Sequence, residues 1–327
     1  MRRIRWSAYG DPGVLTLEEA AVPDPGPGQV RIRAEAVGAN YVDTLMRRGP
    51  AAGELFVRPL PGRPTGDVTG VVDAVGDGVD PALTGRRVAS LVARDAYADQ
   101  VLADAEWLAP VPDGLDDGMA TMLPMGGPVA LGALRLGRLA KGESVLVHSA
   151  AGGIGHLAVQ LAKALGAGTV IGTASTAAGR AFARETGADA VVDYTAADWC
   201  DRVRAHAPGG VDVALDTGAG AGVLAATMEL LAPFGRAVTY GVASGQPGAL
   251  PVMSVVGGLK SLAGYGLLAL RSARPEQARQ DVADVTALAA DGTLTTHVHA
   301  RVPLAEAARA HRLLEDRAHL GRVLLIP

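Results

Sequence analysis

Residues 145–167 read VLVHSAAGGIGHLAVQLAKALGA: an apolar run, then Gly152, Gly153 and Gly155 within four positions, then a segment of helical period. The apolar run over 145–149 has the length of a buried strand. In HLAVQLAKAL, residues 156–165, Leu157, Leu161 and Leu165 recur four apart and mark one stripe of a helix that starts near Gly153. A strand that ends in clustered glycines and opens into a helix gathers free backbone N–H groups and a partial positive charge at one point. Glycine suits that point because a Cβ would hold an anion away from the backbone. A plain connecting turn is the alternative, and the flanking sequence decides between them.

Downstream, TVIGTAS (169–175), AVVDY (190–194), VDVALDT (211–217) and RAVTYGV (236–242) are further apolar strands separated by helical segments. Strands apolar on both faces, alternating with helices, make a parallel sheet covered on both sides, a doubly wound α/β domain. In that setting the glycine turn is a seat for the pyrophosphate of a dinucleotide. Upstream, LTLEEA (15–20), QVRIRAEAVG (29–38), DVTGVVDAVG (67–76), RRVASLVA (86–93) and YADQVLA (97–103) are short strands broken by turns such as PDPGPG at 23–28. Residues 1–120 therefore read as a mostly β domain, a barrel with Gly/Pro corners. After residue 260, TTHVHARVPL, AEAARAHRLLEDRAH and GRVLLIP read strand, helix, strand, and this tail rejoins the first domain. The predicted organisation is 1–120 with 265–327 as a β-rich domain, and 121–264 as a Rossmann domain.

Composition narrows the partners. The chain of 327 residues carries a net charge of −4 and only 4% aromatic residues, which argues against nucleic acid and an anionic membrane surface. Cys200 is the one cysteine, so an internal disulfide and thiolate-rich zinc sites are excluded. The opening MRRIRWSAYGDPG lacks an apolar core of signal-peptide length, and no apolar run approaches bilayer length; a cytoplasmic protein is expected.

The residues after the second strand of the Rossmann domain bear on the cofactor. An NAD site commonly has an acid about 20 residues past the glycines, on the ribose hydroxyls. Here GTASTAAGR, residues 172–180, has no acid, and Glu185 is the next one. Ser175, Thr176 and Arg180 supply hydroxyls and a cation, which favour a 2′-phosphate and hence NADPH; the alternative for Arg180 is a solvated helix residue.

Taken together, the chain resembles the zinc-free medium-chain dehydrogenase/reductase superfamily, in its quinone oxidoreductase (zeta-crystallin-like) branch. The resemblance runs through YGDPGVL (9–15), VPDPGPGQVRIRAEAVGANYVDTLMRRG (22–49), PGRPTGDVTGVVDAVG (61–76), AAGGIG (150–155), LDTGAG (215–220) and AHRLLEDRAHLGRVLLIP (310–327). It implies a GroES-like catalytic domain built from both chain ends, an inserted Rossmann domain, a cleft between them for nicotinamide and substrate, and a homodimer joined at the Rossmann sheet edge near residues 250–267. Position by position, it implies Asn40 beside the nicotinamide ribose and Gly152, Gly153, Ile154 and Gly155 in the pyrophosphate turn, with Ser149 among the cofactor-binding residues. Ser175, Thr176 and Arg180 fall in the 2′-phosphate segment. Tyr194 falls beside the adenine ribose phosphate, Gly241 in the turn near the nicotinamide, and Arg322 where a basic residue reaches the cofactor. The chain departs from the pattern at Gly179, where some relatives have lysine, and at Val129, which lacks a hydroxyl. Leu45, and Ala51 or a close neighbour, stand where some quinone reductases have tyrosines.

The zinc branch of the superfamily holds its metal with Cys and His, and residues 38–70 contain neither; no metal is expected. His297 and His299 share one strand face without a third ligand, and His148 and His311 read as packed or hydrogen-bonded residues. Asp67 is expected to support local structure. Without a Lewis acid, a hydride acceptor must delocalise its own charge, as a quinone or an α,β-unsaturated carbonyl does. Orientation can then contribute about 7–11 kcal/mol, and hydrogen bonds to the developing oxyanion add to it. Asn40 and Tyr41 are the candidate donors, Tyr41 reading equally as a packed core residue. The resulting expectation is an NADPH-dependent, metal-free reductase of a small-molecule electrophile. The rival expectation is a cofactor-binding protein with a sensor, structural or nucleic-acid-binding role and little turnover.

Overall fold

The computed structural model describes residues 1–218, 220–245 and 249–327, and the chain divides into two compact units. One comprises Gly127–Asp281, the other Met1–Gly126 with Val282–Pro327.

In the first of these, six parallel strands lie in the order Ala190–Val192, Thr169–Thr173, Ser144–Val147, Val211–Asp216, Leu231–Thr239, Ser261–Gly264. In chain order this is 3-2-1-4-5-6, the Rossmann arrangement. Val145, Leu146, Val147, Val170, Ile171, Val213, Ala214 and Leu215 are buried, as a sheet covered on both faces requires. The strand order reverses beside Ser144–Val147, and the glycine turn leaves that strand's carboxyl end. The helix that follows, Gly155–Ala164, buries Leu157 and Leu161, but Leu165 is 40% exposed. Each four-residue step advances 400° around the helix, so after two steps Leu165 has turned well away from Leu157; Ala158, Val159 and Ala162 complete the buried face instead.

The second unit holds a seven-stranded sheet. Its path runs Val298–Pro303, Arg322–Ile326, Gln29–Gly38, Gly66–Val75, Arg87–Val92, Ala109–Pro110, with Gln100–Asp104 also pairing to Gln29–Gly38. The ten-residue strand Gln29–Gly38 divides one side between two partners: Gln29–Arg33 faces Gln100–Asp104, whereas Val37 and Gly38 face Leu325 and Leu324. Ile32, Val68 and Val101 share one core cluster with Val302, Leu314 and Val323. Both chain ends therefore build this unit, as a GroES-like domain with an inserted Rossmann domain requires.

The boundaries at 126/127 and 281/282 differ from those read at 120/121 and 264/265. The later one moves because residues 265–281 pack on the parallel-sheet unit. The Tyr265 hydroxyl donates to Pro128 O at 3.2 Å, and buried Asp281 is ion-paired with Arg135.

Candidate active site

At the end of strand Ser144–Val147 the backbone turns through Ser149, whose φ of 53° is left-handed. Gly152 N–H donates to Ser149 O at 2.9 Å and Ala150 N–H to Thr173 O at 2.9 Å, which ties the turn to the neighbouring strand. A Cβ at Gly155 would lie 2.1 Å from Ser149 O, so this glycine lets the helix start against the strand end. His156 Nδ1 donates to Gly152 O at 2.8 Å and holds the turn from within the first helical turn. The backbone N–H groups of Gly153, Ile154 and Gly155 have no acceptor among the described residues. Three open donors at the start of a ten-residue helix are an arrangement that suits an anion.

His148 lies beneath this turn, buried and pushed down to about 4 by burial. Thr227's hydroxyl donates to Val223 O, so it accepts from His148 Nε2 at 2.8 Å, leaving Nδ1 to accept from Thr173's hydroxyl at 3.1 Å. The histidine is a neutral, satisfied core group, as the sequence suggested.

The next strands carry matching turns at their carboxyl ends. Gly218 has φ 73° and a Cβ there would lie 2.0 Å from Gly241 O. Ala243 N–H donates to Thr217 O at 3.0 Å and Ser244 N–H to Gly218 O at 2.9 Å, so the Thr217 and Gly241 turns form one backbone unit. Buried Asp216 accepts from Gly218 N–H at 3.0 Å and from Thr239's hydroxyl at 3.1 Å. Ser149 and Thr217 hydroxyls approach at 3.4 Å. Ala219 of the LDTGAG segment lies outside the described residues.

Beyond strand Thr169–Thr173, Thr176 caps helix Ala177–Glu185, its hydroxyl accepting from Gly179 N–H at 3.0 Å. The Arg180 side chain folds back along this turn. Its Nη1 donates to Asp193 Oδ2 at 2.8 Å and to Ser175 O at 3.0 Å. Its Nε and Nη2 have no acceptor among the described residues. That leaves the two-nitrogen edge that matches a phosphate bidentately. Asp193 is held below the ordinary carboxylate range, first by hydrogen bonds from Thr195 and then by the Arg180 charge. Tyr194 follows it, half-buried. Asp193 and His156 escaped the sequence reading. Asp193's adjacency to Tyr194, and His156's four-residue spacing from Gly152, were the available signals.

In the β-rich unit, Asn40 precedes helix Tyr41–Arg48 but does not cap it. Its Nδ2 donates to Asp67 Oδ2 at 3.1 Å, and its Oδ1 accepts from Arg322 Nη1 at 2.8 Å. Arg322 is also ion-paired with Asp67, donates from Nη1 to Ala39 O at 3.3 Å and from Nε to Thr121's hydroxyl at 3.4 Å. Asn40 is 8% exposed, Arg322 4% and Asp67 0%. The glycine at 38 makes room for the Arg322 guanidinium, a Cβ there falling 1.8 Å from Nη2. Tyr41 diverges from its neighbour. Its hydroxyl accepts from Arg317 Nη2 at 3.0 Å, and the Arg317 guanidinium stands 5.4 Å from the ring centroid. Buried Asp43 accepts from Thr65 N–H at 2.7 Å and Thr65's hydroxyl at 3.0 Å, and burial lifts it to about 7. His311, pushed down to about 3 by burial and then by the Arg47 charge, accepts at Nδ1 from Arg47 Nε at 3.2 Å and meets Tyr97's hydroxyl through Nε2.

The structure thus gathers Ser149, Gly152–Gly155, Ser175, Thr176, Arg180, Tyr194 and Gly241 at the carboxyl ends of one parallel sheet, and Asn40 with Arg322 in the other unit. Comparisons with known proteins agree with this division. Residues 26–113 match the alcohol dehydrogenase GroES-like domain, and 153–287 match the zinc-binding dehydrogenase family. The chain is 33% identical to a quinone oxidoreductase of Pseudomonas aeruginosa, covering 100% of this chain and 99% of the relative. It is 36% identical to a 2-haloacrylate reductase of a Burkholderia species, covering 97% and 96%. The Escherichia coli quinone oxidoreductase solved in complex with NADPH superposes with a TM-score of 0.91 at 30% identity, over 100% of both chains. The chain belongs to the medium-chain dehydrogenase/reductase superfamily, in its quinone oxidoreductase branch.

The zinc in the matched family's description does not fit these residues. Asn40 and Asp67 offer only an amide and one carboxylate, and the Arg322 guanidinium already lies against both. A second cation there would meet like charge. Among the described residues no group of three or more His, Cys, Asp or Glu is placed to hold a metal.

Proposed function

We propose that the protein is an NADPH-dependent, metal-free reductase that delivers a hydride to a quinone or to an alkene activated by a carbonyl group. The observation that carries the reading is Arg180, anchored through Nη1 while its Nε/Nη2 edge stays open beside Ser175 and Thr176. With the free N–H groups of Gly153–Gly155, this chain presents donors for both a pyrophosphate and a 2′-phosphate. When bound, NADPH supplies the hydride. Ser149, Thr217 and Gly241 bound the carboxyl edge of the sheet against which it would lie. Asn40 donates a hydrogen bond to the substrate oxygen as that oxygen gains charge. Quinones and enones suit a site without a Lewis acid because they delocalise the added charge themselves. Relatives that reduce a quinone and a haloacrylate by name support both electrophiles.

The same reading includes a homodimer. Ser261–Gly264 is an edge strand with one partner, and Val252, Met253, Val256, Leu259 and Leu262 beside or on it are exposed. Such an apolar edge is what a second copy would cover. No helix among the described residues is long and apolar enough to cross a membrane; a cytoplasmic location is the reading its single cysteine supports.

The test is isotope transfer. Protein with NADPH deuterated at C4 is offered a simple enone and a benzoquinone separately. Deuterium on the β-carbon of the saturated ketone, or NADPH oxidation coupled to quinol formation, is expected. NADPH binding without oxidation by either acceptor refutes the reading.

A further inference from the structure

Arg180 and Asp193 meet at the ends of two adjacent strands of the parallel-sheet unit. Thr169–Thr173 and Ala190–Val192 pair in parallel with Val192 beside Thr173, and Ala174 N–H extends the pairing to Val192 O at 3.1 Å. Ser175 and Asp193 therefore leave the sheet close together, and the Arg180 side chain folds back from helix Ala177–Glu185 to reach both. The two charged side chains are 25% and 24% exposed, so the pair lies at the surface, within reach of solvent ions.

Asp193 does not depend on Arg180 for its place. Its Oδ1 accepts from Thr195 N–H at 3.0 Å and from the Thr195 hydroxyl at 2.6 Å, a turn closed by the side chain on its own backbone two residues on. Oδ2 is left for Arg180 Nη1 at 2.8 Å. The Thr195 bonds favour the ionised carboxylate and hold it below the ordinary range. Arg180 in turn does not depend on Asp193 alone. Its Nη1 also donates to Ser175 O at 3.0 Å and to Ala174 O at 3.4 Å, so two backbone carbonyls hold the guanidinium without the carboxylate.

What Asp193 adds is charge. It sets a full negative charge against the positive one of Arg180, and the further cation that acts on it, Arg202, is itself bonded to Asp198 at 3.0 Å. A phosphate monoester carries about −1.5 to −2 at pH 7 and would meet here a cation whose field is largely offset. A 2′-hydroxyl carries no charge and would not respond to that offset.

We infer that Asp193 is a specificity-determining residue for the cofactor: its carboxylate offsets the charge that Arg180 presents and so limits the preference for a 2′-phosphate over a 2′-hydroxyl. This rests on the proposed contact of Arg180 with the 2′-phosphate.

The experiment is fluorescence titration of NADPH and of NADH into the full-length protein and its Asp193→Asn variant, at low and at high salt. Asparagine keeps an acceptor for Thr195 N–H and removes the charge. NADPH should bind about 3- to 10-fold more tightly and NADH within about twofold of the parent, and the gain should shrink at high salt. Asp193→Ser, also neutral, should move both affinities in the same sense, and thermal melting checks that each variant is folded. Weaker NADPH binding by the folded variants would overturn the inference, because Asp193 would then be an anchor that Arg180 needs. An unchanged ratio of the two affinities would overturn it, as would an equal gain for both nucleotides or a gain that salt leaves intact. Arg180→Ala tests the underlying contact separately. If that variant keeps the parent's ratio of NADPH to NADH affinity, the 2′-phosphate reading itself fails. A ratio lost in Arg180→Ala but unchanged in Asp193→Asn leaves that reading standing and removes only the part given to Asp193.

Discussion

Gly155→Ala is the sharpest perturbation of the proposed nucleotide seat. The new Cβ would start 2.1 Å from Ser149 O and 3.0 Å from Ala150 Cα, both backbone atoms that no rotamer change can clear. An acceptable contact needs about another 1 Å, so the start of helix Gly155–Ala164 must move off the strand end. The open N–H groups of Gly153, Ile154 and Gly155 sit on the segment that moves. Losing one or two hydrogen bonds to a charged group costs about 2–4 kcal/mol, or about 30- to 1000-fold in NADPH affinity. Overpacking takes a further 1–3 kcal/mol or so from stability. Binding would be measured by calorimetric titration of NADPH, and the fold checked by circular dichroism and thermal melting. Gly222→Ala is the control: it lies within helix Ala221–Leu230, and a Cβ there meets nothing within 4 Å. It should leave affinity alone and raise stability by about 0.5–1 kcal/mol. If Gly155→Ala binds NADPH within threefold of the parent while melting normally, the seat is elsewhere.

Arg180→Ala should weaken NADPH by about 10- to 100-fold, the worth of a charge-assisted bidentate contact, and leave NADH unchanged; equal losses for both nucleotides in parallel titrations would refute the 2′-phosphate assignment. Acid should destabilise the protein. His148 and His311 are held at about 4 and about 3, below their unfolded value, so their stabilisation is complete above pH 6.5 and is lost as pH falls toward the folded values. Each should cost about 2 kcal/mol at pH 5. Asp43, raised to about 7, works in the opposite sense and returns about 2 kcal/mol over the same interval. Urea midpoints should therefore fall from pH 7 to 5, and midpoints that rise would refute this reading of the buried histidines. Met253→Asp, on the exposed edge of the parallel-sheet unit, should shift the proposed dimer to monomer in light scattering; a mass unchanged from that of the parent at micromolar concentration would refute an interface on this edge.

The features legible in sequence are those governed by near neighbours along the chain. The apolar run, the glycine cluster and the helical period after it announced strand, turn and helix. Backbone sterics and side-chain periodicity act over a few residues, so no distant partner was needed. The doubly wound sheet followed from repetition of that unit. Helix Gly155–Ala164 shows the limit: periodicity identified the element, but neighbouring structure decided that Leu165 stays exposed.

The Asn40 network lay beyond that reach. Asp67 is 27 residues from Asn40, and Arg322 is 282 residues from it. Only the pairing of Gln29–Gly38 with both Gly66–Val75 and Arg322–Ile326 makes them neighbours. In sequence the resemblance marks Arg322 as a basic residue toward the cofactor, with nothing to link it to Asn40 or Asp67. In the fold, the space left by the missing Cβ of Gly38 draws it inward, since a buried carboxylate is stable only beside a partner charge. Arg180 falls between these cases: its place in the turn was readable from local spacing, but its open edge was not, because Asp193 takes up the other side from a separate strand end. Sequence alone therefore determined the two-domain architecture and marked the proposed seat for a dinucleotide, and tertiary structure alone decided which polar side chains face one another, because those pairings are set by strand order and not by distance along the chain.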